Sequence, residues 1–184
     1  TLLKHFWDTD QGGLFSTADY HEKLPFRKKP LYDGAIPSGN SVAAWNLLRL
    51  ARITGDPALE SKVEIIGKAS AGLVNRMPSS YAFYMTVIDY LLGPSQEIVI
   101  AGERHAQDTR ELLQVLSGRF HPRMSLLLIP EGDKNSKIRE IAPFTRDFTG
   151  QKGKTIVYIC SGNVCRKPAT GIAETMQLLD SIDT

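Results

Sequence analysis

The sequence predicts a mixed α and α/β chain: helical hairpins first, then a small three-stranded parallel α/β unit. Three observations carry this. Residues 42–53 and 81–92 are helix-like and almost wholly apolar, and they flank an amphipathic helical stretch at 59–77. After Gly93-Pro94 the period changes. Beyond that point, short apolar runs of strand type alternate with capped helices. The boundary therefore falls at 93/94, giving a helical part at 1–93 and a βαβαβα part at 94–184.

In chain order, residues 1–7 read as the end of a helix. They lack an initiator Met and the order of a signal peptide, so they read as a chain entered partway through a helix. Gly12-Gly13 breaks this segment, and residues 14–17 are a short strand candidate. Residues 19–30 are charged, bounded by proline and loop-like. The turn at 31–41 is dense in Gly, Pro, Ser and Asn. Pro37 stops any helix from crossing it, and Ser38, Asn40 and Ser41 are N-cap candidates for the helix that follows. That helix, 42–53, has its polar residues Asn46, Arg49 and Arg52 in one narrow stripe. Gly55 ends it and Pro57 starts the next. Leu59, Val63, Ile66, Leu73 and Met77 then follow helical spacing, and a third helix covers 81–92.

In the second part, 97–101, 125–129 and 155–159 are the strands. Asp108 to Glu111 resembles a capping box for a helix through Leu112, Leu116 and Phe120. Residues 136–142 and 172–182 are further helices. Strands joined through helices imply parallel pairing, with ligands favoured at the carboxyl ends of the strands: 102–107, 130–135 and 161–168.

The 184-residue chain has a formal net charge of +2, with acids and bases interspersed. That leaves no electrostatic footprint for nucleic acid or an anionic membrane. No apolar run approaches the ~20 residues that span a bilayer. Two cysteines do not make a disulfide scaffold; they fit a reducing, cytoplasmic setting and a pair of structural thiols. No motif implies a cofactor, and neither cysteine has histidines at metal-ligand spacing.

Two constellations carry chemistry. In the first, Asp33 stands with Arg27, Lys29, Ser38 and Asn40 just before an apolar helix. Asp33 is a candidate carboxylate for proton transfer, with Asp8, Asp10, Asp19 and Glu22 as others. Ser38 and Asn40 offer hydroxyl and amide groups for sugar oxygens, and Arg27 and Lys29 offer cations. The competing reading is that Asp33 caps the turn with Asx-type bonds.

The second constellation is Cys160-Ser161-Gly162-Asn163-Val164-Cys165-Arg166-Lys167-Pro168. It resembles the phosphate loop of low-molecular-weight tyrosine phosphatases and arsenate reductases. Such a loop would bind an anion through backbone N–H groups and Arg166, and it would lower the Cys160 pKa. Lys167 replaces the hydroxyl residue expected after the arginine. The aspartates downstream, Asp180 and Asp183, lie too near to serve as the general acid.

A wider resemblance rests on Phe6-Trp7-Asp8, Gly12-Gly13-Leu14-Phe15, the run Asp33 to Val42, Leu47 to Ala51, Thr54-Gly55-Asp56 and Leu91 to Pro94. Together these resemble the spermatogenesis-associated, thioredoxin-like-domain family, in which a helical (α/α)6 toroid follows a thioredoxin-like domain. The toroid is similar to those of six-hairpin glycosidases and N-acylglucosamine 2-epimerases. The resemblance implies that residues 1–93 hold helices of such a toroid. It implies a sugar or glycan as ligand for the intact protein, and a pocket built from loops such as 31–41. It also implies that the rest of the parent chain, or a second copy, covers an apolar helical face including Trp45, Leu48, Phe83 and Val87. A non-catalytic interaction domain is the third reading.

Overall fold

The computed structural model describes all residues except 23, 133–135, 152, 163 and 182–184. The chain divides into two compact units, Thr1–Arg52 with Asp56–Leu92, and Ile53–Gly55 with Gly93–Thr184.

The first unit begins with a single helical turn, α1 (Leu2–His5). The backbone then reverses through Gly12 and Gly13, both at positive φ, which other residues rarely adopt. The predicted strand at 14–17 reduces to one antiparallel bridge between Trp7 and Leu14. β-favouring residue types could not make a strand where only one partner residue lies alongside.

Three longer helices follow: α2 (Gly39–Thr54), α3 (Pro57–Arg76) and α4 (Ala82–Leu92), with a 3-10 turn (Pro78–Tyr81) before the last. Asp56 caps α3 by accepting from the Ala58 N–H at 2.9 Å, and Pro57 occupies the first helical position, where no N–H is needed. The core of this unit joins Ala44, Leu47 and Leu48 of α2, Val63, Ile66 and Val74 of α3, and Tyr84, Val87 and Tyr90 of α4.

The expected open face is corrected here. Leu48 and Val87 are fully buried within the unit, and Trp45 and Phe83 are half-buried. Trp45 packs against Phe83 and Tyr90, with ring centroids 6.2 and 5.3 Å away. Three helices packed at one seam bury Leu48 and Val87 without further neighbours. The exposed apolar residues of the three helices are Val42, Leu50, Ile65, Leu73, Met85 and Leu92.

The second unit is a five-stranded mixed sheet with helices. Its strands are β1 (Gln96–Gly102), β2 (Met124–Pro130), β3 (Ile156–Ser161), β4 (Val164–Cys165) and β5 (Ala169–Thr170). Its helices are α5 (Gln107–Ser117), α6 (Lys137–Ile141) and α7 (Gly171–Asp180). The order is β2-β1-β3-β4, with β5 also paired to β3. β1 and β2 run parallel, Ile98 opposite Leu126, as the strand–helix–strand pattern predicts.

β3 is antiparallel to β1, with Ile98 opposite Ile159, which corrects the all-parallel expectation. A buried strand reads as the same apolar run in either direction. The β2–β3 connection, through α6 and a 3-10 turn (Pro143–Thr145), is long enough to return the chain either way. All seven residues of β1 are buried. Ile98 and Ile100 face α5 and α7 through Leu112, Leu116 and Leu179, while Val99 and Ala101 face Leu127, Ile129 and Ala142.

At the end of β1, a Cβ on Gly102 would sit 2.6 Å from Thr155 Oγ1 and 2.8 Å from Thr109 Oγ1, so only glycine fits. Asp108 does not cap α5. It accepts from the Thr109 N–H and the Thr155 N–H and so ties the helix start to the approach to β3. Phe120 lies outside α5 and is exposed. Among the described residues, no helix is long and apolar enough to cross a membrane.

Candidate functional site

The residues singled out around 27–40 divide into fasteners and cleft walls. Asp33 is a fastener. It is 7% exposed, and its two carboxylate oxygens each accept a backbone N–H at 2.8 Å, one from Ser38 ahead of α2 and one from Tyr84 in the first turn of α4. Carboxylates at helix N-termini complement the positive end of the dipole. Neither contact is the Asx-type bond two residues on that the competing reading expects; the carboxylate instead ties the turn to the starts of α2 and α4.

Ser38 is the N-cap of α2: its Oγ accepts from the Ser41 N–H at 3.1 Å and lies 2.9 Å from Ser41 Oγ. Asn40 is 2% exposed, and its amide is fully engaged. Its Oδ1 accepts from the Leu14 N–H at 2.6 Å, while its Nδ2 donates to the Leu14 and Pro30 carbonyls, each at 2.8 Å. Arg27 lies over the Phe15 ring at 3.9 Å and donates to the Thr17 carbonyl at 2.5 Å.

Lys29 donates to Asp8 Oδ2 at 2.5 Å and to the Gly12 carbonyl at 3.1 Å. The Lys29 ammonium, with the Asp10 and Gln11 N–H groups, holds the Asp8 carboxyl below the usual carboxylate range, against the opposing effect of desolvation.

Lys29 and Asn40 also border a cleft of about 200 Å³. Gln11, Gly12 and Gly13 line it from the reversal, and Leu31 from the loop. Ile66, Ala69, Ser70 and Leu73 line it from α3. Gly12 is required here: its φ is +75°, and an added Cβ would collide with Ile65 Cγ2. Beside this wall, the buried Tyr84 hydroxyl has its pKa raised by desolvation, partly offset by a hydrogen bond with Ser70. Asp33, Arg27 and Ser38 do not line the cleft.

Sequence reasoning missed the α3 wall and Gln11. The wall residues, spaced three to four apart, read only as the inward face of an amphipathic helix. The Gly12-Gly13 pair was the one visible signal. A second hollow, lined by Phe6, Ser16, Thr17, His21, Glu22 and Leu24, contains one of the other candidate carboxylates.

In the segment 160–168, of which Asn163 lies outside the described residues, Cys160 is not the free thiol that a phosphate loop needs. β3 and β4 form a hairpin in which Cys160 stands opposite Cys165, and the two are joined by a disulfide. This corrects the expectation of reduced thiols. Two-residue β4 left no periodic signal in the sequence, yet its pairing sets the two cysteines directly opposite, where side chains on neighbouring strands meet. The sulfur of Cys160 is therefore bonded rather than free to act as a nucleophile. Arg166 donates to Ser181 Oγ at 3.2 Å. Because β3 is antiparallel, its carboxyl end lies beside the start of β1, Cys160 opposite Glu97. The end of β3 is thus at the other end of the sheet from the ends of β1 and β2.

The sequence is similar to spermatogenesis-associated protein 20. Identity with the human protein is 33% over 180 residues, covering 97% of this chain and 23% of that protein. The mouse protein matches equally, and an uncharacterised protein of Caenorhabditis elegans is 23% identical over 175 residues. These relatives support the spermatogenesis-associated part of the resemblance read from the sequence. The chain spans less than a quarter of the length of the relatives it matches. No protein-family model and no solved structure matches the chain.

Proposed function

We propose that this chain contributes a sugar-binding cleft to a longer helical protein of the six-hairpin glycosidase-like kind. The observation that carries the reading is the make-up of the cleft beside Gly12-Gly13. The lining combines the apolar Leu31, Ile66, Ala69 and Leu73 with the Gln11 amide and the Lys29 side chain. A sugar ring presents C–H groups on its faces and hydroxyls at its edge, which suits a concave site of mostly apolar lining with a few polar groups. The volume is below the roughly 300–1,000 Å³ of sites for drug-sized ligands, so one ring is the matching size.

Among the described residues no Asp or Glu lines this cleft, so the role proposed for this stretch is binding. Hydrolysis or epimerisation would draw its acid and base from groups outside the cleft. The family resemblance and the shared core of α2, α3 and α4 support the toroid half of the proposal. Nothing in the geometry favours the phosphatase reading, which needs a free Cys160 thiolate.

The test is ligand-observed NMR with a panel of hexoses and N-acetylhexosamines. Saturable binding with a Kd of about 1 mM, or −4.1 kcal/mol, is expected for at least one. Leu73 is half-exposed at the cleft, so Leu73→Arg should weaken that binding at least fivefold without unfolding the protein. Absence of saturable binding across the panel, or binding indifferent to Leu73→Arg, overturns the proposal.

A further inference from the structure

We propose that Cys160 and Cys165 form a thiol–disulfide exchange site in which Cys165 is the sulfur attacked, its partner in exchange being a dithiol. Three observations support this.

First, the bond closes a loop between residues only five apart in sequence. A cross-link over so short a loop constrains little of the unfolded chain, so it is a weak global staple. Second, the two sulfurs are unequally placed. Cys165 is exposed on β4, a two-residue strand at the end of the sheet order, whereas Cys160 is 3% exposed. Third, their charge environments differ. Cys165 is followed directly by the exposed cations Arg166 and Lys167, which favour a thiolate. Cys160 stands opposite the buried Glu97 across β1, where burial and a neighbouring carboxylate disfavour one. This is the asymmetry of a reactive thiol paired with a resolving one.

The exchange balances as follows. A thiolate of the dithiol attacks Cys165 Sγ and forms a mixed disulfide. The Cys160–Cys165 bond breaks, and its electron pair leaves on Cys160 Sγ, which takes up a proton. The second thiol of the partner loses its proton and attacks the partner's own sulfur in the mixed disulfide. Cys165 departs as a thiolate, and the partner leaves as a disulfide. Two electrons pass to the protein; the reverse sequence oxidises a dithiol.

The experiment uses the folded chain. Dithiothreitol without denaturant, followed by maleimide and intact-mass analysis, should add two maleimides while the far-UV circular dichroism stays unchanged. In single-cysteine variants, glutathione disulfide should modify Cys165 in Cys160→Ser at least tenfold faster than Cys160 in Cys165→Ser. Adding Arg166→Ala and Lys167→Ala should slow Cys165 several-fold. If a serine variant fails to fold, wild-type protein trapped with reduced glutathione and peptide-mapped should carry the adduct on Cys165. A disulfide that resists dithiothreitol until the protein is denatured, equal rates for the two cysteines, or an adduct on Cys160 overturns the proposal.

Discussion

Asp33 offers the sharpest separation between a fastening role and a chemical one. Asp33→Ala removes two charge-assisted hydrogen bonds and leaves the Ser38 and Tyr84 N–H groups buried without acceptors. A hydrogen bond to a charged group contributes about 1.5–3 kcal/mol. Two of them, less the carboxylate desolvation that alanine relieves, give a loss of roughly 3–4 kcal/mol. Asp33→Asn keeps one acceptor oxygen and turns an NH2 group towards the other N–H, so about half that loss is expected. Both tryptophans, Trp7 and Trp45, pack against the core of the first unit. Their fluorescence during urea titration therefore reports on the unit that Asp33 joins. With a slope of about 1.5 kcal/mol per molar urea, Asp33→Ala should lower the midpoint by roughly 2 M and Asp33→Asn by roughly 1 M. An unchanged midpoint in Asp33→Ala, together with loss of sugar binding, would refute the capping argument and return Asp33 to the role of a reacting carboxylate.

Other perturbations follow from the same contacts. Gly12→Ala should destabilise the first unit by about 1–3 kcal/mol, since it must hold positive φ and displace Ile65, and urea titration measures this. Asn40→Ala, which strips two buried and one part-buried hydrogen bond from backbone groups 26 and 10 residues away, should cost a similar amount and speed proteolysis within 14–30. In the second unit, Gly102→Ala should lower the thermal midpoint, because its Cβ would press on both Thr109 and Thr155.

Hydrogen bonds from the Thr155 side chain and from the Thr155 and Thr109 N–H groups lower the Asp108 pKa from its ordinary 3.8. The stability from a depressed carboxyl is present above the unfolded value and is lost as pH falls through the folded one. Acid unfolding below pH 3.8 should therefore be less steep in Asp108→Asn, followed by circular dichroism.

The sequence made some levels of this structure visible and hid others. The α3 start was written in Asp56-Pro57, and the three main strands were written in their apolar runs, because caps and periodicity are local. The direction of β3 was not visible, since direction depends on how a long connection returns. The cysteine hairpin was hidden for a different reason: a two-residue strand is shorter than any period. At the candidate site, Asp33 could be narrowed to two roles and no further. Which one holds depends on Tyr84, 51 residues downstream. Asn40 looked like a cap, yet its partners are backbone groups of Leu14 and Pro30 that no spacing rule connects to it.

The central strand has a consequence for how the second unit comes apart. β1 is bonded to β2 on one side and β3 on the other, and both its faces are covered. Its amides at 98–101 can exchange with solvent deuterium only when a neighbouring strand has departed, so they should be the slowest clocks in the unit. The outlying β4, held to β3 at just two residue positions, should peel away far more often. The disulfide thus spans one of the two shortest seams of the sheet. While intact, it turns each peeling event into a brief excursion of a tethered strand; once reduced, the same event lets the strand leave.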